Sequence, residues 1–234
     1  MCHRLALLGS CRLILKINEA QTQRLPHLHR SYCSSNGSGS DINDKNSDRE
    51  EDLKSRLLEA FLRVDPPLIA DRTPDPSDEA LEALQRRIGY HFHHPQLLKM
   101  ALTHRSVGGA ALTTLAWLGD SALSFILTEQ LAAYSLSAEN TTHTLHQVRA
   151  RLASREACAI RAQALGMPSL LIIGRGLQVQ NEMSQIPLNQ KSVLGEAFEA
   201  LLGAVMVDGG GIGAVRSVYT KNFPIQDEIK TLHA

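Results

Sequence analysis

The chain has 234 residues, 24 Lys+Arg balanced by 24 Asp+Glu, 43% hydrophobic residues and four cysteines. That length and apolar fraction support one ordinary domain with appendages, and they exclude a wholly disordered, collagenous or disulfide-framework protein. The zero net charge conceals a segregation into a basic leader, an acidic stretch and a mildly basic remainder. Residues 1–40 hold one acid, Glu19, against Arg4, Arg12, Lys16, Arg24 and Arg30, and they are rich in serine. With its apolar, cationic opening RLALLGSCRLILKI, the segment 1–36 is expected to be an organelle transit peptide, with RSYCSS at 30–35 as the processing site. Arginine frequency and a basic amphipathic start favour a mitochondrion over a chloroplast. Arg12 and Lys16 interrupt the apolar runs, so neither a secretory signal nor a membrane association is predicted. Cys2, Cys11 and Cys33 would leave with the leader. Cys158 alone would remain, reading as a small buried hydrophobe and excluding a disulfide or a cysteine-based zinc site.

Residues 37–80 form an acidic, Pro/Ser-rich linker in which a short amphipathic helix over 49–63 is followed by Pro66, Pro67, Pro74 and Pro76. A helix then opens on Ser77 or Asp78 and ends near Gly89. HPQLLKMALTH is a second short helix, followed by Gly108 and Gly109. Residues 111–134 read as a long apolar helix, 135–142 as a polar loop, and 143–165 as one long helix ended by Gly166. The stretch after Pro168, with Gly174 and Gly176, reads as loop or short helix. Residues 191–207 are a second strongly apolar helix, stopped by Asp208 and three glycines. No alternating strand pattern and no internal repeat is present, so the fold class is all-α, with a domain over 81–222 and a short tail over 223–234.

The chemistry is expected in the two apolar helices. From Ser106 to Thr128 the only charged residue is Asp120; from Ser192 to Val207 the only ones are Glu196 and Glu199. Desolvating a carboxylate without a partner costs several kcal/mol. Each acid therefore needs a proton, a distant arginine, an exposed position or a cation. Glu196 and Glu199, spaced i, i+3, share a helix face and repel by roughly 0.2–0.5 kcal/mol even in water. Convergent oxygen ligands of this kind suit Mg²⁺ or Mn²⁺. A solvated acidic stripe is the other reading of the same spacing, and the spacing alone leaves both open.

Three segments resemble the ribonuclease III family: GYHFHHPQLLKMALTHRS at 89–106, LAWLGDSAL at 115–123 and VLGEAFEALLGAVMVDGG at 193–210. They occur in the family's order and near its spacing, and the resemblance covers about residues 81–220. It implies an all-helical homodimer with double-stranded RNA lying across a valley between subunits. It further implies a divalent ion on carboxylates of both signature helices, activating a water against a phosphodiester. Asp120 matches the signature aspartate of the first helix and Glu199 the metal-binding glutamate of the second, so both carry the catalytic assignment. Glu196, the third metal ligand so implied, stands where the family usually has Asp.

The chain also departs from the family, which usually reads E-x-x-E-F-L-G-D where residues 113–120 here read TTLAWLGD. Ala116 replaces an expected metal ligand one turn before Asp120, Thr113 replaces a second acid, and the acid before the next helix falls at Thr142, near Glu139. The string Leu-Ala-aromatic-x-Gly-Asp is similar to Mini-ribonuclease III, an active branch without a separate RNA-binding domain. Only about a dozen residues follow the fold, too few for such a domain. The resemblance implies an endoribonuclease cleaving double-stranded or structured RNA, such as ribosomal RNA precursors or intron RNA in an organelle. The missing carboxylates motivate an alternative, a non-catalytic RNA-binding protein of the organellar large ribosomal subunit.

Trp117 matches a position that packs across the family's dimer interface, or it is an intramolecular core residue. Arg149, Arg151, Arg155, Arg161, Arg175 and Lys191 are candidates for phosphate contact, giving salt-dependent, shape-based RNA binding. Several of them are expected to be no more than solvated helix face. The glycines around Arg175 make a turn too short to be specific for phosphate. His91, His93, His94 and His104 read as capping or packing residues.

Overall fold

The computed structural model describes residues 40–64, 71–108, 111–135, 142–183 and 190–231. The leader 1–36 with its processing segment and Glu139 lie outside these residues. Among the described residues ten α-helices follow one another: α1 (Ser40–Leu62), α2 (Asp78–Ile88), α3 (Pro95–Leu102), α4 (Ala111–Ser135), α5 (Thr142–Leu152), α6 (Arg155–Ala164), α7 (Arg175–Met183), α8 (Gln190–Asp208), α9 (Ile212–Asn222) and α10 (Ile225–Thr231). Among the described residues there is no β-strand, only isolated bridges of Arg72 with Gly174 and Thr103 with Ile172. The all-α class read from the sequence is the fold.

Helix α8 is the axis. Every residue from Val193 to Val205 is buried, as expected of a helix apolar all round. Helix α4 runs along one side of it and α6 along another, with α3 and α9 completing the enclosure. Two glycines set the α4–α8 approach. A Cβ on Gly119 would overlap the Glu199 carbonyl oxygen and sit 2.8 Å from the Gly203 nitrogen. A Cβ on Gly203 would overlap the carbonyl oxygen of Leu115. The two backbones therefore touch, and residue 120 is carried to the side of residue 199.

Local chemistry explains the helix ends. Ser77 caps α2, its Oγ accepting from the Ala80 amide at 3.3 Å, and Gly89 ends it in the left-handed region at φ +73°. The helix predicted over 143–165 is divided in two. Ser154 adopts extended backbone and its Oγ accepts from the Ala157 amide at 3.2 Å, so it starts α6 afresh and turns it onto α8. Around and beyond Pro168, a 3-10 turn (Met167–Leu170), an extended segment and α7 make up the stretch read as loop or short helix.

Both flanks of the domain are packed onto it. Helix α1 begins well before residue 49, and its Leu57, Leu58 and Phe61 rest on the core. In the tail, α10 buries Ile225 and Ile229.

Candidate carboxylate site

Asp120 leaves α4 one residue after the Gly119 contact, while Glu196 and Glu199 leave α8 one turn apart. All three line one open pocket of about 470 Å³, together with Arg105, Thr113, Ala116, Trp117, Ala153 and Arg155. Asp120 is exposed, whereas Glu196 and Glu199 are 7% and 8% exposed. The buried Oε2 of Glu196 has no hydrogen-bond partner. The Arg105 guanidinium lies 3.9 Å and the His104 ring 3.8 Å from it, both too far for a hydrogen bond.

Burial, the Asp120 carboxylate and Glu196 together push Glu199 up to about 7, against the opposing pull of Arg155 and a hydrogen bond from Cys158. Burial also lowers the His104 pKa, with Arg105 adding to that and Glu196 working against it. This is the electrostatic signature of carboxylates gathered without enough positive charge among them.

The donor set is hard oxygen and fits a divalent cation. Among the described residues no three His, Cys, Asp or Glu side chains close into a complete cage. Carboxylate oxygens are the donors taken by an ion that keeps several waters, as Mg²⁺ does. Ala116, 5% exposed, presents only a methyl group to the pocket. Thr113 lines its rim, and Thr142 is exposed at the start of α5.

The basic candidates are not brought together. Arg155 alone lines the carboxylate pocket, its Nη1 donating to Ser192 Oγ at 3.0 Å. Its main chain lies against α8 because Gly195 has no side chain, a Cβ there falling 2.8 Å from the Arg155 carbonyl oxygen. Lys191 pairs with Glu156, Arg175 with Asp71 at 3.3 Å, and Arg149 donates to Thr128. Arg151 lines a separate groove beside Ile160 and Phe223. Arg161 is a correction: at 3% exposure it cannot reach a phosphate. It is spent on Glu228, on the Leu152 carbonyl at 2.7 Å, and over the rings of Phe198, Tyr219 and Phe223.

Trp117 is 72% exposed and is no core residue; Phe125, two turns on, is 54% exposed. The histidine-rich turn serves structure. The buried Asp208 carboxylate accepts from the backbone amides of His93 and His94 and from the Tyr90 hydroxyl, each at 2.8 Å. The Nδ1 atoms of both histidines lie against it as well. Burial raises the Asp208 carboxyl, but these hydrogen bonds outweigh it and hold the pKa low. The result is a clasp from the end of α8 to the turn before α3.

Two groups that matter were not picked out from the sequence. Gly119 and Gly203 read there as ordinary helix residues, although small residues on facing apolar helices signal close approach. Arg105 sits inside the LTHRS string, where its basic charge was the available signal.

A profile of the ribonuclease III domain matches residues 113–210. Ribonuclease 3 of Ralstonia pickettii (strain 12J) is 36% identical over 151 residues, covering 64% of this chain and 56% of the relative. Ribonuclease 3 of Alkalilimnicola ehrlichii is 39% identical over 137 residues, covering 58% and 55%. The chain thus spans little more than half the length of these relatives. Two solved structures of the nuclease domain of ribonuclease III from Campylobacter jejuni superpose with TM-score 0.53 at 25% and 26% identity. Each covers 62% of this chain, and this chain covers 99% and 96% of theirs. One of the two is described for flexibility in a region involved in dimer formation.

Proposed function

The chain carries a ribonuclease III domain, and on that premise we propose that it is a divalent-metal-dependent endoribonuclease acting on double-stranded or structured RNA. The observation that carries this reading is the pocket itself. Two acids are buried at a helix contact with an exposed third beside them, and one buried oxygen is left without a hydrogen bond. An arrangement kept for stability alone would pair these charges.

Asp120, Glu196 and Glu199 would hold the ion; Arg105 and Arg155, on either side, would meet phosphate oxygens. Bound there, Mg²⁺ or Mn²⁺ would lower the pKa of a water and neutralise charge on the phosphodiester. Charge balance favours the assignment. Three carboxylates and two guanidiniums sum to one negative charge, which a divalent cation converts to one positive charge facing a singly charged phosphodiester. Ala116 is compatible with that balance, since a fourth carboxylate would bring the loaded pocket to neutrality.

Trp117 and Phe125 on the outer face of α4 support a homodimer through that face. The leader's composition supports delivery to a mitochondrion, with ribosomal RNA precursors or intron RNA as substrates. Full-length protein with labelled duplex RNA and Mg²⁺, run beside Glu199→Gln, tests the enzyme reading. Cleavage by the first and not the second supports it; intact duplex and structured organellar RNAs with active-form protein overturn it.

One observation favours a second reading, an RNA-binding component of the organellar large ribosomal subunit. Ala116 leaves the pocket without one of its family ligands. Stable co-sedimentation with large subunits, together with RNA binding that is indifferent to Mg²⁺, would establish that role instead.

A further inference from the structure

Three short pieces of chain lie side by side, and the third of them reaches the carboxylate pocket through Arg105. The first, 71–75, comes from the proline-rich segment ahead of the domain; the second is 171–175; the third, 102–106, carries His104 and Arg105. Between the first two, the Thr73 amide donates to the Ile173 carbonyl at 2.9 Å and the Arg175 amide to the Asp71 carbonyl at 3.1 Å. Thr73 Oγ1 donates to the Leu171 carbonyl at 3.1 Å and accepts from the Ile173 amide at 2.9 Å.

Between the second and third, the His104 amide donates to Ile172 at 2.8 Å and the Ile172 amide to Leu102 at 2.9 Å. The Gly174 amide donates to Ser106 Oγ at 2.9 Å, and Ser106 Oγ also touches the His104 ring at 2.9 Å. That ring is the group facing the unpartnered Glu196 oxygen. Gly174 fits the seam because a Cβ there would come 2.6 Å from the Ser106 carbonyl.

We propose that residues 71–75 are a strap that positions the metal-site loop, with Thr73 as its central positioning residue. The inference rests on the metal reading of the pocket. Its physical content is that the buried Oε2 of Glu196 has no hydrogen bond to fix it, so the placement of that oxygen depends on the nearby His104 and Arg105. Those two are fixed through the 171–175 segment, whose far side is held by Thr73. Thr73 is the only strap side chain whose one atom both donates to and accepts from that segment in the bonds above. Groups supporting a ligand from behind change metal affinity without touching the metal. The proline-rich segment is thereby a working part of the domain rather than a spacer.

The test uses the full chain and Mn²⁺ alone, with affinity read by electron paramagnetic resonance and no RNA present. Thr73→Val keeps the shape and removes both Oγ1 bonds; Thr73→Ser keeps them. The expected result is Mn²⁺ binding about fivefold weaker in Thr73→Val, below the ~10–100-fold typical of groups touching a ligand directly, and restored in Thr73→Ser. Amide hydrogen exchange separates local loosening from general instability: faster exchange at Ile172, Ile173 and His104 with α8 unchanged supports the strap, whereas faster exchange throughout overturns it.

Wild-type affinity in Thr73→Val, with Glu196→Gln weakened, overturns the strap and leaves the metal site standing. Absence of Mn²⁺ binding by the wild type, with Glu199→Gln indistinguishable from it, overturns the metal reading and the strap together.

Discussion

Two places in the molecule bury charge in the same apolar core, one on either side of Cys158. Around Arg161 every polar group is satisfied. Its guanidinium meets both oxygens of Glu228 and the Leu152 carbonyl, and Tyr219 donates its hydroxyl to the same carboxylate at 2.8 Å. Around Glu196 and Glu199 the charges are not balanced: one Glu196 oxygen is orphaned, and Asp120 and Glu196 repel Glu199, with only Arg155 and a Cys158 hydrogen bond opposing them. Cys158 feels both neighbourhoods, and its thiol is pushed up to about 12 chiefly by burial. The first arrangement is complete without a ligand. The second leaves a buried carboxylate oxygen without a partner, which the proposed cation would supply, and that difference separates the two sites more clearly than burial does.

The comparison breaks most visibly from the satisfied side. Arg161→Leu should destabilise the fold by about 3–5 kcal/mol, because Glu228 is left buried without its partner. Replacing both residues by leucine should recover most of that loss. Urea unfolding of the single and double variants checks it, and equal losses in both would show that the pair is not the unit of stability. Gly119→Ala comes next, at about 3 kcal/mol. The added methyl meets the backbone of both Glu199 and Gly203, and overpacking a close contact costs ~1–3 kcal/mol or more. Since the shift would also part Asp120 from Glu199, metal-induced stabilisation should vanish along with the lost Tm.

The contrast also shows how far the sequence can be read. Helix class, order and the special acids were legible because apolar periodicity and the isolation of Asp120, Glu196 and Glu199 are local facts of the chain. The break at Ser154 was missed because the apolar pattern continues through it, and only the serine cap reveals it. Arg161 was misplaced among phosphate contacts because its partner, Glu228, lies 67 residues on in a stretch read as tail. The strap through Thr73 was invisible for the same reason: its bonds reach to Leu171 and Ile173. Partners distant in sequence are set by packing, and packing is not written in periodicity.

On the unsatisfied side the sign of the effect should reverse. Glu199→Gln removes a repelled, desolvated carboxylate, so the metal-free variant should be more stable than wild type at pH 8, by on the order of 1–2 kcal/mol. It should also lose the extra stability that Mn²⁺ confers on the wild type. The pH dependence follows from the same raised pKa. With Glu199 at about 7 in the folded protein, above its ordinary value of 4.5, the folded state holds a proton that the unfolded chain has released. This contribution is fully present below about pH 4.5 and is lost as the pH rises through 7. Bound metal demands the ionised form, so Mn²⁺ stabilisation should grow over that window. Thermal unfolding with and without Mn²⁺ from pH 5 to 8 measures both slopes; parallel curves would mean that Glu199 does not face the ion.

The smallest effect on folding should come from Trp117, which the sequence leaves open between a dimer interface and the core. Trp117 lies on the same helix as Asp120 yet is 72% exposed, so Trp117→Asp should change monomer stability by no more than about 0.5 kcal/mol. A Trp–Phe face of that size is costly to leave in water unless another surface covers it. Helix α4 therefore differs by face: Leu115, Leu123 and Ile126 bind it to the core, Asp120 lines the pocket, and Trp117 with Phe125 faces outward, where the proposed second copy would cover it. Sedimentation of the wild type as a dimer and of Trp117→Asp as a folded monomer would verify that division. A monomeric wild type would remove the partner from the account while leaving the carboxylate pocket untouched.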